Sequence, residues 1–319
     1  MFQVWLISLG AGAASALLVA TVATGSALAV PLFYLAPLPV LIVGLGWSHL
    51  AALIAALAAA GFIGGFFGSE LLFAYVAGVG IPAYILSYLA LMARQTGPEG
   101  QLEWFPVGRI VLAAAIVGCL AVASLIPLVA GDVESYEAAL RTLFQAMLDE
   151  GAPGGGANPD TARLVDLLVM VMPPAAAVLT MVTQLANLWL AAHAARLSGR
   201  LVRPWPDLAW IVLPRATVAL LIGAIIAAAI TSGFVGLLAE LLAATLVMAF
   251  GFLGLAVIHA ITRGAAGRSL VIGTVWLAAL VLGWPFALLA LLGLSETLFG
   301  IRGRLKRGGP GGPSAANDG

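Results

Sequence analysis

Six side chains in this sequence could hold a solute or an ion away from water: Glu70, Glu240, Gln184, Asn187, His49 and His259. Each lies inside, or at the edge of, a long apolar run. Polar groups in such runs normally face a bundle interior or a water-filled cavity, because hydrocarbon solvates them poorly. Glu70 falls at the turn between two runs, and Glu240 lies about one helical turn into another from the same side. These two carboxylates form a candidate site for a cation or a cationic solute. The competing reading is that each reaches the headgroup region separately. Gln184 and Asn187 lie one turn apart, where they serve either as ligands in that site or as hydrogen-bonding groups between helices. His49 and His259 have no carboxylates at ligand spacing, so no metal site is expected.

Other chemistries lack their signatures. Gly46-Trp47-Ser48-His49-Leu50 has no second glycine for a nucleophile elbow. There is no His-Glu-x-x-His zinc pair and no pair of intramembrane aspartates. Ala152-Pro153-Gly154-Gly155-Gly156 reads as a flexible linker without the Gly-Lys-Ser/Thr ending of a phosphate-binding loop. The lone Cys119 excludes a disulfide framework. The expectation is a protein that is not an enzyme and carries no cofactor; any energy for transport would come from an ion gradient or a partner.

The elements that must position these residues follow from composition. The chain has 319 residues, 62% hydrophobic and only 9% charged, against about 25% charged in an ordinary soluble domain. Too few polar groups exist to clothe a water-facing surface, which excludes a soluble enzyme, a disordered chain and a nucleic-acid-binding module. The fold class expected is all-α: a polytopic transmembrane bundle of about 8–10 spans with one interfacial amphipathic helix, in contact with the lipid bilayer. Charge-free runs long enough to cross a core of about 30 Å fall at 4–24, 27–45, 48–68, 71–93, 110–131, 167–195, 216–239 and 241–262. The last two runs are joined by a turn at Thr231-Ser232-Gly233. Pro31, Pro37 and Pro39 predict a kinked second span. A ninth run, 269–295, is either one kinked helix or two short ones parted at Gly283-Trp284-Pro285. Ala27-Leu28-Ala29 resembles a signal-peptide cleavage site, but no Lys or Arg precedes the apolar run, so the first span is expected to be retained.

Lys and Arg mark cytoplasmic loops. Arg94 and Arg109, then Arg196, Arg200, Arg203 and Arg215, then Arg263 and Arg268, occupy alternate loops, whereas 132–163 is mainly acidic. The N-terminus is therefore expected in the cytoplasm and loop 132–163 outside. Arg302, Arg304, Lys306 and Arg307 also belong inside, which favours two passes through 269–299. An integral domain over 1–305 and a disordered cytoplasmic tail over 306–319 complete the division. In the acidic loop Tyr136, Leu140, Leu143, Phe144, Met147 and Leu148 recur at helical spacing up to Gly151. That amphipathic helix either lies on the outer surface, packing over the bundle, or forms a lid on an outward-facing cavity. Gly10 with Ala14, and Ala13, Ala16, Ala20 and Thr24, give the first helix small-residue faces. These serve internal packing or the docking of another membrane subunit.

Several segments together resemble a known family. They are Leu188–Arg203 after Asn187, Arg203-Pro204-Trp205-Pro206-Asp207, Gly254-Leu255-Ala256-Val257-Ile258, and Leu291-Leu292-Gly293-Leu294-Ser295-Glu296 with Phe299 and Arg302. In this order they resemble the YybS-like predicted bacterial membrane proteins, domain of unknown function 2232. Leu253 and Glu296 stand where members often have Gln and Asp. The resemblance implies a bacterial inner-membrane location and no established activity. It also implies a distant similarity to the substrate-binding components of energy-coupling-factor transporters, whose first helix meets a partner subunit. The functional expectation is binding of a small solute in an outward-facing cavity; the alternative is a non-transporting membrane scaffold or assembly factor.

Overall fold

The computed structural model describes residues 2–96, 101–151 and 159–307. The glycine-rich linker and the tail beyond Arg307 lie outside the described residues. Helices account for most of the described chain. They are α1 (Phe2–Ala20), α2 (Ala29–Tyr34), α3 (Pro37–Gly46), α4 (His49–Phe67), α5 (Ser69–Tyr75), α6 (Ile81–Leu91), α7 (Val107–Ala130) and α8 (Val133–Gly151). The set continues with α9 (Pro159–Leu197), α10 (Ala216–Ile230), α11 (Gly233–Ile261), α12 (Arg268–Leu282), α13 (Pro285–Phe299) and α14 (Ile301–Arg307). Among the described residues seven helical segments are long and apolar enough to cross a membrane, α2 with α3 and α5 with α6 each counting as one. α10, α12 and α13 are shorter apolar helices. The chain is an all-α polytopic membrane bundle.

The core forms where α3, α4, α6, α7, α9 and α11 meet, around Leu41, Ala55, Leu86, Met181, Leu246 and Phe250. Small residues let the backbones close up. α1 buries Ser8, Gly12, Ser15, Ala16 and Val19 against α4, and a Cβ on Gly12 would come within 2.6 Å of the Ala55 carbonyl oxygen. Of the small residues expected to make this face, Ala16 is buried but Gly10 is exposed. The stripe that packs is shifted round the helix, because Ser8 and Ser15 carry it.

The prolines interrupt the second span as expected. After α2 the backbone tightens to three-residue hydrogen bonds, from Ala36 to Phe33 and from Leu38 to Leu35. In that pattern Tyr34 would accept from Pro37, which has no N–H. A second break lies between α5 and α6, where Val76–Gly80 forms a π-type turn ahead of Pro82.

Four details depart from the sequence reading. The loop after α6 folds as an antiparallel hairpin, Ala93–Thr96 against Gln101–Trp104. α9 starts at Pro159, eight residues before its charge-free core, because Val165 and Val169 continue the apolar face towards α8. The seventh and eighth runs part at the expected Thr231-Ser232-Gly233 turn, so their bounds shift from 239–241 to 230–233 and Glu240 lies in the second turn of α11. The helical backbone also runs through Arg307, so it covers the first two residues of the expected tail.

The ninth run resolves into two helices. Gly283, at φ +70°, turns the chain and Pro285 starts α13. α12 leaves from beside Arg263, and α13 returns to the same end, where Arg302 reaches the loop before α10. α11 and α13 cross in backbone contact: an added Cβ would stand 1.9 Å from the Leu289 oxygen at Gly254 and 2.0 Å from the Phe250 oxygen at Gly293.

Candidate functional site

α8 does not lie apart on the surface. Phe144, partly buried Leu140 and Leu148 on α8, and Val165 and Val169 on α9 form a small core of their own. Val133 and Tyr136 then carry α8 onto the cluster around Cys119, Ile126, Leu237 and Leu241. The opposite face of the helix keeps Leu143 and Met147 exposed. Between α8, α9 and α11 this packing leaves a cavity of about 250 Å³.

Four ionisable side chains line it: Glu137 and Arg141 from α8, Asp166 from α9 and Glu240 from α11, with Tyr136 beside them. Their placement follows from helix geometry, since Val133, Tyr136, Glu137 and Arg141 share one face at three- and four-residue spacing. Arg141 donates to Asp166 Oδ1 from Nε at 3.3 Å and from Nη2 at 3.1 Å. Among the described residues neither Glu137 nor Glu240 has an ion-pair partner. With Arg141 and Asp166 cancelling, the cavity holds two uncompensated carboxylates. Burial pushes the Tyr136 phenol above its ordinary value, which keeps it neutral as a hydroxyl donor or aromatic wall.

The four residues singled out in the sequence fall into three places. Glu240 lines the cavity. Glu70 does not; it is exposed in the first turn of α5, which packs against α4 and α7. Gln184 and Asn187 are buried in the middle of α9 and hold together the two proline breaks. Asn187 Nδ2 donates to the Tyr34 oxygen and the Thr183 oxygen, both at 2.8 Å. Gln184 Nε2 donates to the Gly78 oxygen at 2.9 Å. Pro82, four residues beyond Gly78, has no N–H for that carbonyl. Their amide oxygens have no donor among the described residues. Of the candidate pair Glu70 and Glu240, only Glu240 lines this cavity, and among the described residues the other unpaired carboxylate there is Glu137. Glu137 lies on the polar side of the amphipathic α8, and the contact of α8 with α11 sets it beside the same cavity as Glu240, both carboxylates staying exposed.

The opposite end of the bundle carries the arginines. Arg203 donates to the Ala90 oxygen at 3.1 Å and the Phe105 oxygen at 2.8 Å, tying the loop before α10 to the end of α6 and to the hairpin. Asp207 accepts from the Ala209 N–H and pairs with Arg263, which holds its carboxyl below the ordinary value. Arg302 is buried: Nε meets Glu296 Oε1 at 2.8 Å, and its two Nη atoms donate to the Ala209 and Ile211 oxygens. In the hairpin, Arg94 holds the exposed Glu103 carboxyl below its ordinary range.

These residues belong to the segments that carry the family resemblance. Arg203 and Asp207, Gly254, Gly293, and Glu296 with Arg302 build one polar latch and one glycine crossing, distant from the acidic cavity. The model of a family described as predicted membrane protein, DUF2232, matches residues 13–297. The chain belongs to this family. No curated protein and no solved structure matches it. The latch and crossing build the frame of this DUF2232 protein, at the end of the bundle away from the acidic cavity.

Proposed function

We propose that this DUF2232 protein binds a small cationic solute in the cavity between α8, α9 and α11, as a transport-type membrane protein and not as an enzyme. The observation that carries this reading is the pair Glu137 and Glu240, which line one cavity without a basic partner. A volume of about 250 Å³ suits a compact amine better than a drug-sized ligand, whose pockets run from about 300 to 1,000 Å³. Tyr136 offers an aromatic face to the cation. α8 is the roof, attached to α9 by a small core that could part without disturbing the main bundle. In this reading the arginine-rich end faces the cytoplasm of a bacterium, with the N-terminus on that side and the cavity outward. A membrane scaffold, the second reading, would use the face of α1 that α4 leaves uncovered, where Phe2, Leu6, Leu9 and Gly10 are exposed.

The test is equilibrium binding of small mono- and diamines and alkali cations to purified protein in detergent. Near water-like dielectric each carboxylate attracts a cation at 4 Å by about 1 kcal/mol. The double variant Glu137→Gln, Glu240→Gln should then weaken binding about 30-fold without lowering the unfolding temperature. Unchanged affinity in that variant, or no saturable binding across the panel, contradicts the reading.

A further inference from the structure

At the arginine-rich end, away from the cavity, α1 and α3 diverge over an apolar groove of about 390 Å³ whose lining includes Ile7, Ala11, Leu35, Leu38, Ile42 and Trp47. Its length follows from helical rise. Leu35 to Trp47 is about 18 Å and Ile7 to Leu18 about 16 Å at about 1.5 Å per residue. Half of a hydrocarbon core about 30 Å thick is about 15 Å, so the groove runs the depth of one leaflet. A groove of one-leaflet length and wholly apolar lining suits a lipid acyl chain.

The mouth of the groove is cationic. The Arg200 guanidinium carbon lies 4.3 Å from the centre of the Trp47 ring. The arginine stem runs along the turn at Gly46, where an added Cβ would meet Arg200 Cβ and Cδ at 3.8 and 3.9 Å. Arg196, one turn earlier, lies 5.0 Å from the Trp205 ring. Among the described residues the carboxylates of this end are already taken: Glu103 by Arg94, Asp207 by Arg263 and Glu296 by Arg302. Arg196 and Arg200 are exposed and form no ion pair among the described residues. A guanidinium fixed on an indole keeps its N–H edge free, and that edge matches the oxygens of a phosphate.

We propose that the α1–α3 groove binds an anionic phospholipid of the adjoining leaflet, one acyl chain lying along Leu38 and Ile42 and the phosphate received by Arg200. The site is independent of the acidic cavity, so the two proposals can fail separately. The test is native mass spectrometry of purified protein mixed with equal amounts of phosphatidylglycerol and phosphatidylcholine of identical chains. Wild type should retain the anionic lipid about tenfold better. Arg200→Gln, an exposed change, should reduce that preference to about twofold or less at unchanged unfolding temperature. Ala11→Trp, which fills the groove, should reduce retention of both lipids. Equal retention of the two lipids by wild type overturns the proposal, as does an Arg200→Gln protein that keeps the preference. So does efficient crosslinking between two copies through Ala11→Cys, which would show the groove covered by protein.

Discussion

Replacing Asn187 by Leu should leave the Tyr34 carbonyl without a donor in the middle of the bundle. Pro37 withholds the N–H that the tightened backbone would supply, and Leu38 donates to Leu35. The Asn187 amide therefore provides the donor that Tyr34 lacks. Its second bond, to Thr183, goes to a carbonyl of α9 itself and is expendable. An unsatisfied buried carbonyl costs about 1–3 kcal/mol, while side-chain hydrogen bonds between membrane helices average about 0.6 kcal/mol and reach about 1.7. We expect Asn187→Leu to lose about 1–2 kcal/mol, read as a lower unfolding temperature in detergent. The cause is separable by a second change. Pro37→Ala restores an N–H at the break and lets the backbone return to four-residue hydrogen bonds, in which Leu38 donates to Tyr34. In that background Asn187→Leu should cost at least about 0.5 kcal/mol less, a coupling that double-mutant cycles resolve. Equal cost of Asn187→Leu in both backgrounds would refute the reasoning.

Other expectations follow from the same geometry. Gly254→Leu would place a Cβ 1.9 Å from the Leu289 oxygen. Overpacking typically costs about 1–3 kcal/mol, and a backbone clash should exceed that, so folded yield on size-exclusion chromatography should collapse. Arg302→Gln should destabilise by about 3–5 kcal/mol, because it strands Glu296 in a buried pair with side-chain exposures of 4% and 9%. Thermal unfolding of Arg302→Gln beside Glu296→Gln, Arg302→Gln checks this, the double variant recovering part of the loss. For Asp207 the folded state holds the carboxyl below its unfolded value, so its contribution is complete above about pH 4 and is lost as pH falls through the lower folded value. Unfolding temperature should fall in that acid window by less in Asp207→Asn than in wild type.

The bundle was legible from sequence because lipid imposes one simple rule: charge-free runs of sufficient length become spans. The split at Gly283-Trp284-Pro285 was legible for a related reason, since the arginines on both sides had to share one end. Gln184 and Asn187 were conspicuous as rare amides in an apolar run, yet their role depends on carbonyls freed by Pro37 and Pro82, far away in the chain. Glu70 and Glu240 share an end of the bundle, and sequence carries no record of which helices neighbour each other there. The decisive contact is α8 against α11, which selected Glu137 as the partner of Glu240. The latch of Arg302 with Glu296 was visible only as a motif without a function.

The acidic cavity and the arginine-rich latch are expected on opposite faces of the membrane. Side-specific labelling tests this directly. In a Cys119→Ala background, Ser135→Cys at the start of α8 and Ser198→Cys after α9 would be exposed, one at a time, to a membrane-impermeant maleimide on intact cells. Labelling of Ser135→Cys in intact cells, and of Ser198→Cys only after permeabilisation, is the predicted result. Both positions labelled from the same side would contradict it.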